Sequence, residues 1–155
     1  ILVLIILNGV LAVVSYRPFY LSFFNQLIGG IKGAYESGLE TTYWGEAVNE
    51  TMITHINDTL HPDARLKLLA LHEKVFEYLQ QWHILRPDII IDAPPPYDYH
   101  LLLIRKGFFA RPERYLFEHW KPEKIISIKG VPLVALYKTG AQFETEWRKM
   151  PAHAQ

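Results

Sequence analysis

The chain has 155 residues, half of them hydrophobic, with 16 basic and 16 acidic side chains and no cysteine. That length and composition give one domain with a sizeable core and argue against disorder over most of the chain. The balanced charge gives no support to a general nucleic-acid surface, and the missing cysteines exclude disulfides, thiolate metal sites and a cysteine nucleophile.

The stretch "ILVLIILNGVLAVVSY" is apolar from Ile1 to Val14, broken only by Asn8 and Gly9. A spanning helix needs about 20 apolar residues. This run is shorter but starts at the first residue, so residues 1–16 are expected to be the end of a truncated transmembrane helix. A signal-peptide core reads similarly, but no basic region precedes it and no small-x-small cleavage site follows. A buried core helix is the plain alternative. Tyr16, Arg17, Phe19 and Tyr20 close the run with an aromatic and basic collar suited to a membrane interface. Only Arg17 and Lys32 are basic between positions 17 and 36, so the rest of the chain is expected on the extracytoplasmic side.

Residues 17–42 read as a membrane-proximal, glycine-rich connector. An α/β domain is expected over 43–139. Val48, Met52, Ile56 and Leu60 recur every fourth position, a helical stripe running from Tyr43 to Leu60. "ARLKLLAL" reads as a buried strand. "EKVFEYLQQWHIL" reads as a helix, with Val75, Leu79 and Trp82 on one face and Phe76 beside them. Strands follow at Ile89 to Ile91 and at Tyr99 to Arg105, separated by three prolines. "ARPERYLFEHW" has Pro112 near a helix start. "EKIISIKGVPLVALYKT" reads as a hairpin turning at Lys129-Gly130. Residues 140–155 are polar and are expected to be a loose tail. Alternating strands and helices argue for an α/β fold: a small mixed, mostly parallel sheet with a C-terminal hairpin.

The chemical signals are sparse. Gly29, Gly30 and Gly33 lack the spacing of a dinucleotide fingerprint, and no phosphate-cradling Gly-Lys-Ser/Thr loop occurs. The structural reading is a tight, closely packed turn. His61, His72 and His83 lie eleven apart, but Pro62 breaks the helix between the first two, and Phe76 stands where His-Glu-x-x-His needs its second histidine. No zinc site is expected. Asp88, Asp92 and Asp98 flank the proline-rich loop; turn capping is favoured over ligand binding. Glu36 and Glu40 are expected to face the membrane surface. No Gly-x-Ser-x-Gly nucleophile elbow is present. Tyr43 and Trp44 read as core aromatics, with interfacial anchoring or sugar stacking as alternatives.

The stretch "YLSFFNQLIGGIKGAYESGLETTYWGEAVNE" resembles the start of the C-terminal extracytoplasmic domain of multi-pass GT-C class glycosyltransferases, the glycosyltransferase family 39 and mannosyltransferase-like proteins. The shared pattern falls on Phe24-Asn25, Gly29-Gly30, Gly33-Ala34 and Tyr43-Trp44-Gly45, and "KGVPLVALYK" is similar to that domain's closing hairpin. Thr42 departs from the pattern, which more often has Asp there. The resemblance implies an integral membrane enzyme moving a sugar from a polyprenyl-phosphate donor to a protein, lipid or polysaccharide acceptor. In such enzymes the catalytic acid lies in an early outer loop, so no catalytic residue is expected in this chain. Some members use a divalent metal ion; no cofactor or metal ligand is expected here. The implied partners are membrane lipid, the polyprenyl-phosphate-linked sugar and upstream transmembrane helices of the same protein. Asn25, Gly29, Gly30, Gly33, Tyr43, Trp44 and Gly45 are the expected substrate-proximal or structural motif. A single-pass anchored binding or accessory domain is the alternative.

Overall fold

The computed structural model describes residues 2–43 and 45–149. Helix α1 (Leu2–Tyr16) opens the chain, and two 3-10 turns lead to α2 (Gly30–Glu36). There follow α3 (Glu50–Thr59), β1 (Arg65–Leu69), α4 (Glu73–Gln81), β2 (Ile90–Ile91) and β3 (Tyr99–Leu103). The chain ends in α5 (Arg111–His119), β4 (Lys124–Ile128), β5 (Val131–Lys138) and α6 (Gly140–Arg148). Among the described residues, no helix is long and apolar enough to cross a membrane. At ~1.5 Å per residue, the 15 residues of α1 span only about three quarters of a bilayer's ~30 Å hydrocarbon core.

The five strands form one mixed sheet in the order β2-β1-β3-β5-β4. β1 runs parallel to β2 and β3, while β5 is antiparallel to both β3 and β4. Four strands therefore point one way, and only β5 opposes them. Alternation sends Leu66, Leu68, Leu101 and Leu103 to one face, where Met52 and Ile56 of α3 and Phe76 of α4 cover them. Leu69, Leu102, Ala135 and Tyr137 go to the other face, under Leu116 of α5 and Phe143 of α6. The result is a three-layer α/β/α domain. Lys129 (φ 50) and Gly130 (φ 81) make the tight β4–β5 turn at the expected place.

Four details depart from the sequence reading. Helix α3 starts at Glu50, not Tyr43, because Gly45 takes a left-handed backbone (φ 82) and Asn49 caps the helix by accepting from Met52 N–H at 3.2 Å. The connector contains a helix that the sequence reading did not place: α2, whose Ile31 and Ala34 are buried, as is Phe19. The expected loose tail is helix α6 from Gly140 to Arg148, because Phe143 drives it onto the sheet and is 1% exposed. On α4, Phe76 and Leu79 pack inward, while Val75 and Trp82 face out. Both faces have helical spacing, so periodicity alone could not choose between them.

Candidate functional site

The carboxyl end of β4 carries the Lys129–Gly130 turn up against the end of α1, where a cleft of about 1040 Å³ opens. Leu7 and Leu11 of α1 form its apolar wall, Phe23 and Phe24 its aromatic side, and Lys32 and Lys129 its cations. Lys129 is held in place. Its Nζ lies 4.0 Å from the centre of the Tyr16 ring and 3.4 Å from Ser15 Oγ. The Tyr16 hydroxyl accepts from Ile31 N–H at 3.2 Å and so fastens α1 to the start of α2.

Asn25, Gly29 and Gly30 line this cleft, and Gly33 lies just behind. Asn25 caps the 3-10 turn Gln26–Ile28, its Oδ1 accepting from Leu27 N–H at 3.1 Å and Ile28 N–H at 3.3 Å. Gly29 (φ 84) and Gly30 (φ 65) turn the chain into α2. A Cβ on Gly33 would stand 1.8 Å from the Ile28 carbonyl oxygen. The amides of Gly29, Gly30 and Gly33 donate to Gln26, Asn25 and Gly29 carbonyls, so they do not form an anion-binding nest. The glycines shape the cleft; its cations come from lysines.

Tyr43 and Gly45 lie elsewhere. A Cβ on Gly45 would meet Leu71 Cδ2 at 3.1 Å, just past the end of β1. Tyr43 sits 5.9 Å from the Arg105 guanidinium, just past the end of β3. Thr42 is buried and donates to Glu46 Oε1 at 2.9 Å. Trp44 lies outside the described residues. Glu40, expected at a membrane surface, instead accepts from Gly107 N–H at 2.9 Å and pairs with Arg105; Glu36 is exposed. Sequence reasoning missed Lys129, Arg105 and Lys106. The signal available was a pair of cations directly after the apolar run "LLLI".

The three aspartates at the proline loop are occupied within the fold. Asp92 accepts from Leu68 N–H and pairs with Lys67, both at 3.0 Å. Burial pulls the Lys67 ammonium down, but the hydrogen bond and charge of Asp92 more than offset it and leave it raised. Asp98 accepts from Arg65 N–H at 2.9 Å. Asp88 pairs with Arg86, whose hydrogen bond holds the carboxyl below its usual range. His100 is buried beside Phe143, with its Nδ1 2.8 Å from Thr139 Oγ1. Burial, with the nearby Lys67 charge, lowers it to about 4, so it is neutral at pH 7. Among the described residues no group of three or more His, Asp or Glu is placed to hold a metal ion. Comparison of the chain with family models, curated proteins and solved structures found no match.

Proposed function

We propose that this chain is the C-terminal, extracytoplasmic part of an integral-membrane glycosyltransferase that moves a sugar from a polyprenyl-phosphate donor to an acceptor. In this reading α1 is the end of the last membrane helix, and the catalytic acid lies upstream. The observation that carries it is the cleft: an apolar helix wall running into two lysines suits an amphiphilic anion, with the chain along Leu7 and Leu11 and the phosphate at Lys32 and Lys129. A second observation supports it. Ile6, Leu7, Val10, Leu11, Val13 and Val14 are each 52–68% exposed. Burying such side chains is worth ~1.5–3 kcal/mol apiece, so lipid or neighbouring helices are the natural cover. The chain's own role is to bind and orient: the lysines hold the phosphate, and the aromatics exclude water from it.

The test is sugar transfer from a polyprenyl-phosphate donor by the full-length protein, compared with the Lys32→Ala, Lys129→Ala double variant. Turnover should fall at least about tenfold, the loss expected when one or two charge-assisted hydrogen bonds go. Unchanged transfer at unchanged protein level rejects the reading. Upstream coding sequence with no further apolar segments of about 20 residues would replace it with an anchored binding or accessory domain.

A further inference from the structure

The winding of the sheet singles out one place on its edge. β1 connects to β2 through α4 on one face, whereas β3 connects to β4 through α5 on the other. The connections diverge between β1 and β3, and in open α/β sheets ligands bind outside the carboxyl ends of strands at such a point. Leu71 follows β1 there, and Arg105 follows β3. We propose that Arg105 is the anion-binding residue of a second ligand site at this point, one that takes a phosphate ester with a ring next to the phosphate.

Arg105 is prepared for this in three ways. Its side chain is only 23% exposed, and its Nε is anchored 3.4 Å from Glu40 Oε2, while the other Glu40 oxygen accepts from Gly107 N–H. Among the described residues nothing accepts from its two terminal nitrogens, which leaves a planar fork matched to a pair of phosphate oxygens. Its guanidinium carbon lies 4.1 Å from the centre of the Phe108 ring, which fixes the plane of the fork. Phe108 is itself 66% exposed and Tyr43 39% exposed, so an open aromatic surface adjoins the fork for a ring to stack on. Charge also fits. Lys106 stands over the Tyr35 ring at 3.6 Å with no carboxylate partner among the described residues, so Arg105, Lys106 and Glu40 together leave one positive charge. None of these residues lines the cleft beside α1, so the proposal stands independently of the glycosyltransferase reading.

The experiment is calorimetric titration of the full chain in non-ionic detergent with phenyl phosphate and, separately, with inorganic phosphate. The Arg105 Nε–H resonance is followed by NMR to place the binding. Phenyl phosphate should bind saturably, shift that resonance, and bind several-fold more tightly than inorganic phosphate. Arg105→Lys keeps the charge and loses the fork; it should weaken phenyl phosphate about tenfold. Phe108→Ala should bring phenyl phosphate down to the inorganic level. Lys121→Gln, at an exposed cation ahead of β4 and outside both sites, should leave both affinities unchanged. Micelles doped with phosphatidic acid, a phosphate ester without a ring, should shift the Arg105 resonance less than phenyl phosphate does. No saturable binding at millimolar phenyl phosphate, equal affinity in Arg105→Lys, or an equal shift with phosphatidic acid would each overturn the proposal.

Discussion

Gly33 has less room for a side chain than any other glycine of the described residues. An alanine there would press its methyl group into the Ile28 carbonyl, 1.8 Å from the ideal Cβ position. Overpacking of this kind costs ~1–3 kcal/mol. Gly9 is the contrast, because nothing lies within 4 Å of its Cβ position inside α1. Gly9→Ala should gain ~0.5–1 kcal/mol from helix propensity. Denaturant unfolding of the two variants checks the opposite signs; a neutral Gly33→Ala would mean that α2 does not sit against the Ile28 turn. His100 makes a pH prediction. Its folded-state value of about 4 lies below the unfolded value of 6.5. The unfolded chain therefore takes up a proton first as pH falls, and stability drops between about pH 6.5 and 4, then levels. The loss is on the order of 3 kcal/mol. His100→Gln should flatten this limb of the stability profile; an unchanged acid limb would assign it to other groups.

At the scale of elements, the sequence located nearly every strand and helix of the α/β part, because buried strands flanked by prolines and helices with a four-residue stripe leave strong local patterns. It was weaker where a few contacts decide. Phe143 stands in a stretch that is mostly polar, so α6 looked like a tail. In the fold its ring lies 4.8 Å from His100 and 5.6 Å from Trp120, whose Nε1–H donates to the Lys138 carbonyl at 2.9 Å. Phe143→Ala should cost ~3–5 kcal/mol and loosen α6. Hydrogen exchange would show the amides of 141–148 losing protection while those of β3 and β5 keep theirs. Uniform loss across the sheet would instead make α6 part of one cooperative unit.

At the scale of the whole molecule, strand order is what the sequence could not supply. The aspartates beside the prolines drew attention because they follow a strand, yet each is held by a backbone amide or a cation of the fold. The place where connections diverge lies between β1 and β3, two strands with β2 between them in the chain, and only the register that runs from Leu66 opposite Tyr99 to Leu69 opposite Leu102 reveals that they adjoin. The glycine motif was legible as a shape, since close packing leaves its mark in residue type. Its chemistry was not, because the lysines that line the same cleft arrive from α2 and from the β4–β5 turn, far apart in sequence.

The bond from Ile31 N–H to the Tyr16 hydroxyl has a mechanical consequence. Tyr16 is the last residue of α1, held by Phe23 at 5.1 Å on its ring edge and by Lys129 over its face. One helical turn along α2 from Ile31, the Tyr35 ring carries Lys106, the neighbour of Arg105. The end of α1 is thus pinned to α2, and a tilt of the helix is expected to displace α2 and, through Tyr35 and Lys106, the segment after β3. Tyr16→Phe removes the pin and keeps the ring. In this cysteine-free chain, spin labels at Val13→Cys and Ile125→Cys would report a broader distance distribution when it is removed; an unchanged distribution would show that ring packing alone sets the helix angle.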